Sequence, residues 1–152
     1  MKTPEIPLEW LPTLPRRYAA TVVDWLLVIA AMVVPTALWP NDDNLARVLR
    51  VTIAGGALLV YEPLCTGHFV TVGQRVAGVR VRRFDSGEKI GVLRAYGRIV
   101  VKGLLGFISF LVLPFTPGRR ALHDMATGSI VIMAASEPEF CRWATSGSDA
   151  AA

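Results

Sequence analysis

Two acids, Asp24 and Glu62, stand within or at the edge of long apolar runs. A charged side chain at the centre of a bilayer costs about 2.5 to 3.5 kcal/mol on insertion scales, so each needs a partner or a purpose. Arg17 precedes Asp24 by seven residues, two helical turns, and shares its face. Backbone geometry alone leaves the two too distant for direct contact, so long side chains or a third residue must close the gap. Such carboxylates can hold a cation or relay a proton. They can equally belong to an ion network that only fixes helix packing, which is the commoner use.

The elements that would position these residues are apolar helices. Tyr18 to Trp39 runs for 22 residues with Asp24 as its one charge and reaches roughly 33 Å as a helix, enough for a hydrocarbon core of about 30 Å. It is longer than a signal-peptide core and no small-residue cleavage site follows it, so it reads as an uncleaved first span with Pro35 near its far end. Leu45 to Cys65 forms a second span, with Arg47 and Arg50 at one end, Glu62 at the other and Gly55-Gly56 in the middle, where another helix could approach. Ile99 to Thr116 is harder to place. It is barely long enough for one crossing, contains Lys102, and is followed by Arg119 and Arg120. Either it re-enters the side it left, bending at Gly103, Gly106 or Pro114, or it is an ordinary third helix.

Charge supplies the orientation. Of the 152 residues, 53% are hydrophobic and 18% charged, with 16 Lys+Arg against 12 Asp+Glu and a formal net charge of +4. This composition excludes a disordered chain and argues against a free soluble enzyme. The basic residues flank the apolar runs, which points to a membrane rather than nucleic acid. Arg16 and Arg17 precede the first span, and the segment after the second carries Arg75, Arg80, Arg82 and Arg83, so the N-terminus is expected in the cytoplasm and the acidic Pro40 to Asn44 turn outside. Arg94, Arg98 and Lys102 recur at i, i+4 and i+8 and lie on one helical stripe. With Arg75, Arg80, Arg82 and Arg83 they are expected to face anionic lipid headgroups.

Val79 to Arg83 alternates apolar and basic, Asp85-Ser86-Gly87 supplies a turn and Lys89-Ile90 resumes, a pattern that predicts a short cytoplasmic β-hairpin. Ser129 to Met133 could add a third strand, which would favour re-entry. Residues 1–15, rich in proline, form an N-terminal cytoplasmic segment with Trp10 and Leu11 at the membrane interface. Residues 16–135 form one membrane domain, and 136–152 a flexible tail. Cys65 and Cys141 form no disulfide framework or zinc spacing, and Cys65 reads as a buried thiol.

Three stretches then belong together: Arg16 to Asp24 (RRYAATVVD), Thr66-Gly67 through Val81 with Thr71-Val72-Gly73-Gln74-Arg75 inside it, and Arg119 to Ser129 (RRALHDMATGS). In this order and spacing they resemble the RDD family of small bacterial membrane proteins, over roughly residues 14 to 133. The resemblance makes Arg17 the family's arginine, Asp24 its first aspartate and Asp124 its second. Gln74 stands where lysine is common in the middle motif, with Arg75 next to it. The family's activity is not generally established, although transport, and sodium/proton exchange for some members, has been suggested. The resemblance implies a cytoplasmic-side cluster of Arg17, Asp24 and Asp124, which His123, Arg119 and Arg120 could balance. His123 could titrate near neutral pH or be a surface histidine beside an acid.

No G-x-S-x-G, P-loop, HExxH or GxGxxG motif is present, and His68 and His123 do not make a metal site. The expectation is therefore an α-helical integral membrane protein of the bacterial plasma membrane, multi-pass, with no catalytic residue, cofactor or metal. It would act as an accessory or scaffold subunit beside a larger membrane partner or its own copies. The alternative is an oligomeric transporter or ion/proton exchanger that uses Asp24 and Glu62.

Overall fold

The computed structural model describes residues 6–38, 43–105 and 108–149. Helix α1 (Leu14–Leu38) starts earlier than Tyr18, with Pro15 in its first turn, where a missing N–H leaves no hydrogen bond unmade. Helix α2 (Asn44–Gly56) is capped by Asp43, whose Oδ1 accepts from the Ala46 N–H at 2.7 Å. It continues through a π-helical turn, Ala57–Tyr61, into α3 (Glu62–His68). The whole run Asn44–His68 is long and apolar enough to cross a membrane, as is the one that ends at Leu38, and about 6% of each one's most apolar stretch is buried inside the protein. Their apolar side chains face outward: Trp25, Leu26, Val33, Val51 and Leu59 are all exposed. An added Cβ at Gly55 or Gly56 would meet no atom within 4 Å, so among the described residues no helix uses the glycine pair for close approach. The loop expected between the spans, Pro40 to Asp42 together with Trp39, lies outside the described residues.

The remaining elements form a cap at one end of α1. Helix α4 (Val72–Ala77) begins at Thr71, whose hydroxyl accepts from the Gln74 N–H, and ends at Gly78 in the left-handed conformation. Strand β1 (Val79–Arg83) follows. Helix α5 (Val92–Leu105) and helix α6 (Ile108–Leu111) occupy the third apolar region, and residues 106 and 107 between them, Gly106 included, lie outside the described set. Two 3-10 turns, Leu113–Phe115 and Pro117–Arg119, lead to α7 (Leu122–Ala126), β2 (Ser129–Met133) and α8 (Glu137–Asp149). Neither α5 nor α6 is long enough to cross by itself. Ser109 at the start of α6 bonds His123 of α7, and α7 packs on α5.

The expected hairpin is corrected. β1 pairs antiparallel with β2, with Val81 opposite Val131, and Lys89-Ile90 forms no strand. The turn at Asp85 to Gly87 does close, with the Gly87 N–H donating to Arg83 O at 3.1 Å, but Ile90 goes into the core instead. β2 wins the pairing because it brings apolar residues to both faces. Val131 meets Ala20, Val79, Val81 and Ala95 on one side; Ile130 and Ile132 meet Leu11, Phe140 and Ala144 on the other. β1 alternates accordingly. Its valines face α1 and α5, while Arg80 and Arg82 turn to Glu137 at the start of α8.

The flexible tail and interfacial N-terminus are corrected too. Residues 137–149 are helical, and Phe140, fully buried, anchors α8 to the sheet. Leu11 is buried beside it, and Trp10 lies edge-on to Trp143, which also meets Phe84 and Phe140. Truncating a fully buried phenylalanine costs about 3 to 5 kcal/mol. Phe140→Ala is expected to release α8, read as faster proteolytic cleavage after residue 133 and a lower melting temperature in detergent, with α1 still protected.

Candidate functional site

Asp124 is fully buried, and its carboxylate is the point where four elements meet. Its Oδ2 accepts from Arg17 Nη2 of α1 and, at 3.1 Å, from the Ala121 N–H that opens α7; its Oδ1 pairs with Arg98 Nη2 of α5 at 2.9 Å and faces the Ser129 hydroxyl of β2 at 3.4 Å. Arg17, itself buried, spends its other nitrogen on the Arg119 carbonyl. Two guanidinium groups on one carboxylate form a charge-assisted cluster that a lone pair could not match at this depth. Burial by itself would push the Asp124 carboxyl up, but the charges of Arg17 and Arg98 outweigh it and hold the group well below the usual carboxylate range.

Asp24 does not join that cluster. Its Oδ2 accepts from the Thr71 hydroxyl at 2.7 Å and its Oδ1 from the Gly73 N–H at 2.8 Å, with the Tyr61 hydroxyl at 3.4 Å. Tyr61 in turn accepts from the Val72 N–H at 2.8 Å. The first aspartate thus holds the start of α4 against α1 with neutral donors. Gly73 makes the approach possible: a Cβ there would overlap the Ala20 carbonyl oxygen and stand 2.8 Å from the Asp24 carboxyl. Gly67 plays the same part between α3 and α5, where a Cβ would come within 2.9 Å of the Val92 backbone. The expected Arg17–Asp24 network is therefore two separate stations, because each acid finds closer partners brought by a distant segment. Gln74, at the position where lysine is common, reaches the Thr66 hydroxyl, at 3.4 Å. Arg75 beside it is exposed, so neither supplies a cation to Asp24.

Glu62 is paired with Lys102 of α5 at 2.6 Å. This corrects the reading of the basic stripe as lipid-facing. Lys102 holds Glu62, Arg98 holds Asp124, Arg80 and Arg82 hold Glu137, and Arg83 pairs with Asp85 at 2.8 Å and Glu88 at 3.2 Å; Arg75 and Arg94 alone of the seven stay exposed. Arg119 makes no ion pair with these acids among the described residues, while Arg120 lies close enough to Asp124 to feel its charge without pairing with the carboxylate. Arg119 donates to Pro12 O at 3.2 Å, and Arg120 donates to Ser129 O at 3.0 Å with its guanidinium 4.5 Å over the Phe84 ring. Arg98 is the residue that sequence reasoning assigned elsewhere. Its position on one stripe with Lys102 was the available signal.

His123 is buried, not a surface histidine. Its Nδ1 lies 2.6 Å from Ser109 Oγ, and Nε2 faces Arg98 at 3.4 Å. Nε2 also lies 3.6 Å from Asp124 Oδ1, so the ring sits between the arginine and the carboxylate. Burial and the charge of Arg98 push the imidazole down to about 3, out of the neutral range expected for it. Among the described residues no group of His, Cys, Asp and Glu could hold a metal ion. Cys65 is half-buried rather than enclosed.

The one arginine and the two aspartates thus occupy positions that tie the first helix, the middle segment and the last motif into one body. The RDD family profile matches residues 11–128, most of the chain. The chain belongs to the RDD family. No curated protein and no solved structure matches it.

Two outcomes follow from this geometry. Arg17→Met leaves Asp124 with Arg98 alone, and breaking a buried pair costs about 3 to 5 kcal/mol, so the melting temperature should drop far more than for Arg94→Met on the exposed face. Acid should destabilise the cap. The unfolded histidine takes up its proton near 6.5 while folded His123 waits until about 3, so the unfolded chain binds more protons as pH falls through that window and stability is lost. Asp124, held below its unfolded value, adds to the loss with the same sign below about pH 4. His123→Gln should flatten the melting profile between pH 6.5 and 4, and an unchanged slope would refute this assignment.

Proposed function

We propose that this chain is a twice-spanning membrane protein of the bacterial plasma membrane that serves as an accessory or scaffold subunit. The observation that supports this reading most directly is that each of these acids is already engaged by partners within the chain. Asp24 accepts from three donors, Asp124 is held by two guanidinium groups, and Glu62 is paired with Lys102. Groups so engaged hold segments together; they do not offer an open ligand shell to a travelling ion. The exposed apolar faces of α1 and α2 are surfaces for lipid, for copies of this chain or for a larger membrane subunit.

On this reading the cap and both termini of the described chain lie in the cytoplasm, with Arg16 and Arg17 at the inner end of α1. The return of the chain from α5 through α6 to α7 supports a re-entrant third segment, since α7 packs on α5 and the next strand pairs with β1. Arg75 and Arg94, beside the exposed Phe69, Val76 and Leu93, are the residues offered to anionic headgroups.

A second reading, an oligomeric ion or proton exchanger, draws on a polar cavity of about 40 Å³ lined by Asp24, Glu62, Arg98, Lys102 and Gln74 among others. That space is about the size of one water. Vesicles reconstituted with the full chain separate the two. The scaffold reading expects no sodium-driven pH change above empty vesicles, together with recovery as a complex or homo-oligomer in mild detergent. A flux lost in a folded Asp24→Asn variant would overturn it.

A further inference from the structure

The Glu62–Lys102 pair ties α3 to α5, and both residues also line an apolar crevice. The crevice has a volume of about 230 Å³ and lies between α1, α3 and α5. Trp25 and Val28 form one wall and Ile99 and Gly103 the other, with Asp24, Glu62 and Lys102 at the polar end. It opens on the outward face of the chain, where Trp25 is 56% exposed and Leu104 is 81% exposed. The 40 Å³ polar cavity adjoins it through the same three charged residues, and Arg98, which lines that cavity, has a buried Nη1 with no partner among the described residues.

An ion pair in an otherwise apolar, outward-facing wall is costly to keep, and that cost marks the place as a site for something that uses its hydrogen-bonding capacity. Lys102 carries three N–H donors and spends one on Glu62 Oε1 among the described residues. Glu62 retains Oε2 as an acceptor. The two charges cancel, so a charged head gains little from the pair. A head that accepts from the ammonium and donates to the carboxylate satisfies both. The crevice is smaller than the roughly 300 to 1,000 Å³ of ordinary small-molecule sites, so it takes a head and the first part of a chain while the remainder lies along α1 and α5.

We propose that the crevice between α1, α3 and α5 binds a neutral, hydroxyl-headed lipid, with its hydroxyl between Lys102 and Glu62 and its chain between Trp25, Val28, Ile99 and Gly103. The proposal rests on the membrane placement above, not on the scaffold role.

Gly103 gives a clean way to block it. A Cβ added there meets no heavy atom within 4 Å, so the backbone admits a side chain at this wall of the crevice, and Gly103→Phe offers a ring large enough to occupy it. The full chain is placed in phosphatidylcholine vesicles with a long-chain alcohol bearing a diazirine near its hydroxyl, and crosslinks are mapped by mass spectrometry. Saturable labelling of residues 25–28 and 99–103 is expected. Excess unlabelled alcohol should displace it, while the alkyl sulfate and alkyl trimethylammonium of equal length should not. Gly103→Phe should abolish the labelling, and the charge-neutral double variant Glu62→Leu/Lys102→Leu should weaken it about tenfold. Gly103→Ala, which leaves most of the space, should retain it and serves as the folded control. Unsaturable labelling spread along both spans and unchanged by Gly103→Phe would mean bulk lipid only, and equal competition by the sulfate would refute the neutral head. Neither result bears on ion flux or on co-purifying partners, so failure here and failure of the scaffold reading are distinguishable.

Discussion

A buried carboxylate between two arginines is the constraint on which the cap depends. Asp124 arrives from the last motif, Arg17 from the first helix and Arg98 from α5, so the cluster forms only when three segments far apart in sequence have already met. Once formed it is hard to open partway. Removing either arginine leaves the buried carboxylate with the other, and removing Asp124 leaves two arginines facing each other without their shared anion. The same carboxylate also accepts from the Ala121 N–H and faces Ser129, which sets the entry into α7 and into β2. β2 in turn carries both halves of the apolar core, so the sheet, α8 and the N-terminal turn follow from the position of Asp124.

Asp24 meets the same problem by other means. Among the described residues it pairs with no cation but takes two close hydrogen bonds from Thr71 and Gly73 at the head of α4, with Tyr61 near. The middle motif reads as threonine and glycine for that reason: one supplies a hydroxyl, the other permits a backbone N–H to come within reach. Tyr61 sits in the π-helical turn of the second long helix and links that helix to the same station through the Val72 N–H. A π-turn shifts the helical register by a fraction of a turn, which is a means of turning one side chain out of line with its neighbours.

What the sequence made legible divides along range. The two long apolar helices followed from composition and length, because burial in an apolar medium leaves the backbone no choice but to bond internally. The motif residues Arg17, Asp24 and Asp124 were legible as important, but their partners were not. Helical spacing put Arg17 and Asp24 on one face and invited a pair, whereas the competing partners come from positions 49 and 107 residues away. Strand pairing failed for the same reason. A local turn at Asp85 to Gly87 favoured Lys89-Ile90, and only the two-sided apolar burial of Ser129 to Met133 shows why the distant strand prevails. The basic stripe of Arg94, Arg98 and Lys102 was correctly placed on one helix face; its inner members face acids that lie beyond any local window.

The surplus positive charge takes on a sharper meaning once these pairs are removed. Arg17, Arg80, Arg82, Arg83, Arg98 and Lys102 are paired with acids of the chain, and Arg75 in α4, Lys89 ahead of α5 and Arg94 in its first turn are among the basic residues that remain exposed. Phe69, Val76 and Leu93, each at least 70% exposed, stand among them. Apolar side chains interleaved with unspent cations suit a headgroup layer better than either bulk water or the hydrocarbon core: the former leaves the apolar groups wet and the latter strands the charges. On the proposed topology this surface fixes the depth of the cap. α5 then carries the Glu62–Lys102 pair just below the headgroups, where a lipid hydroxyl can reach it without leaving the membrane.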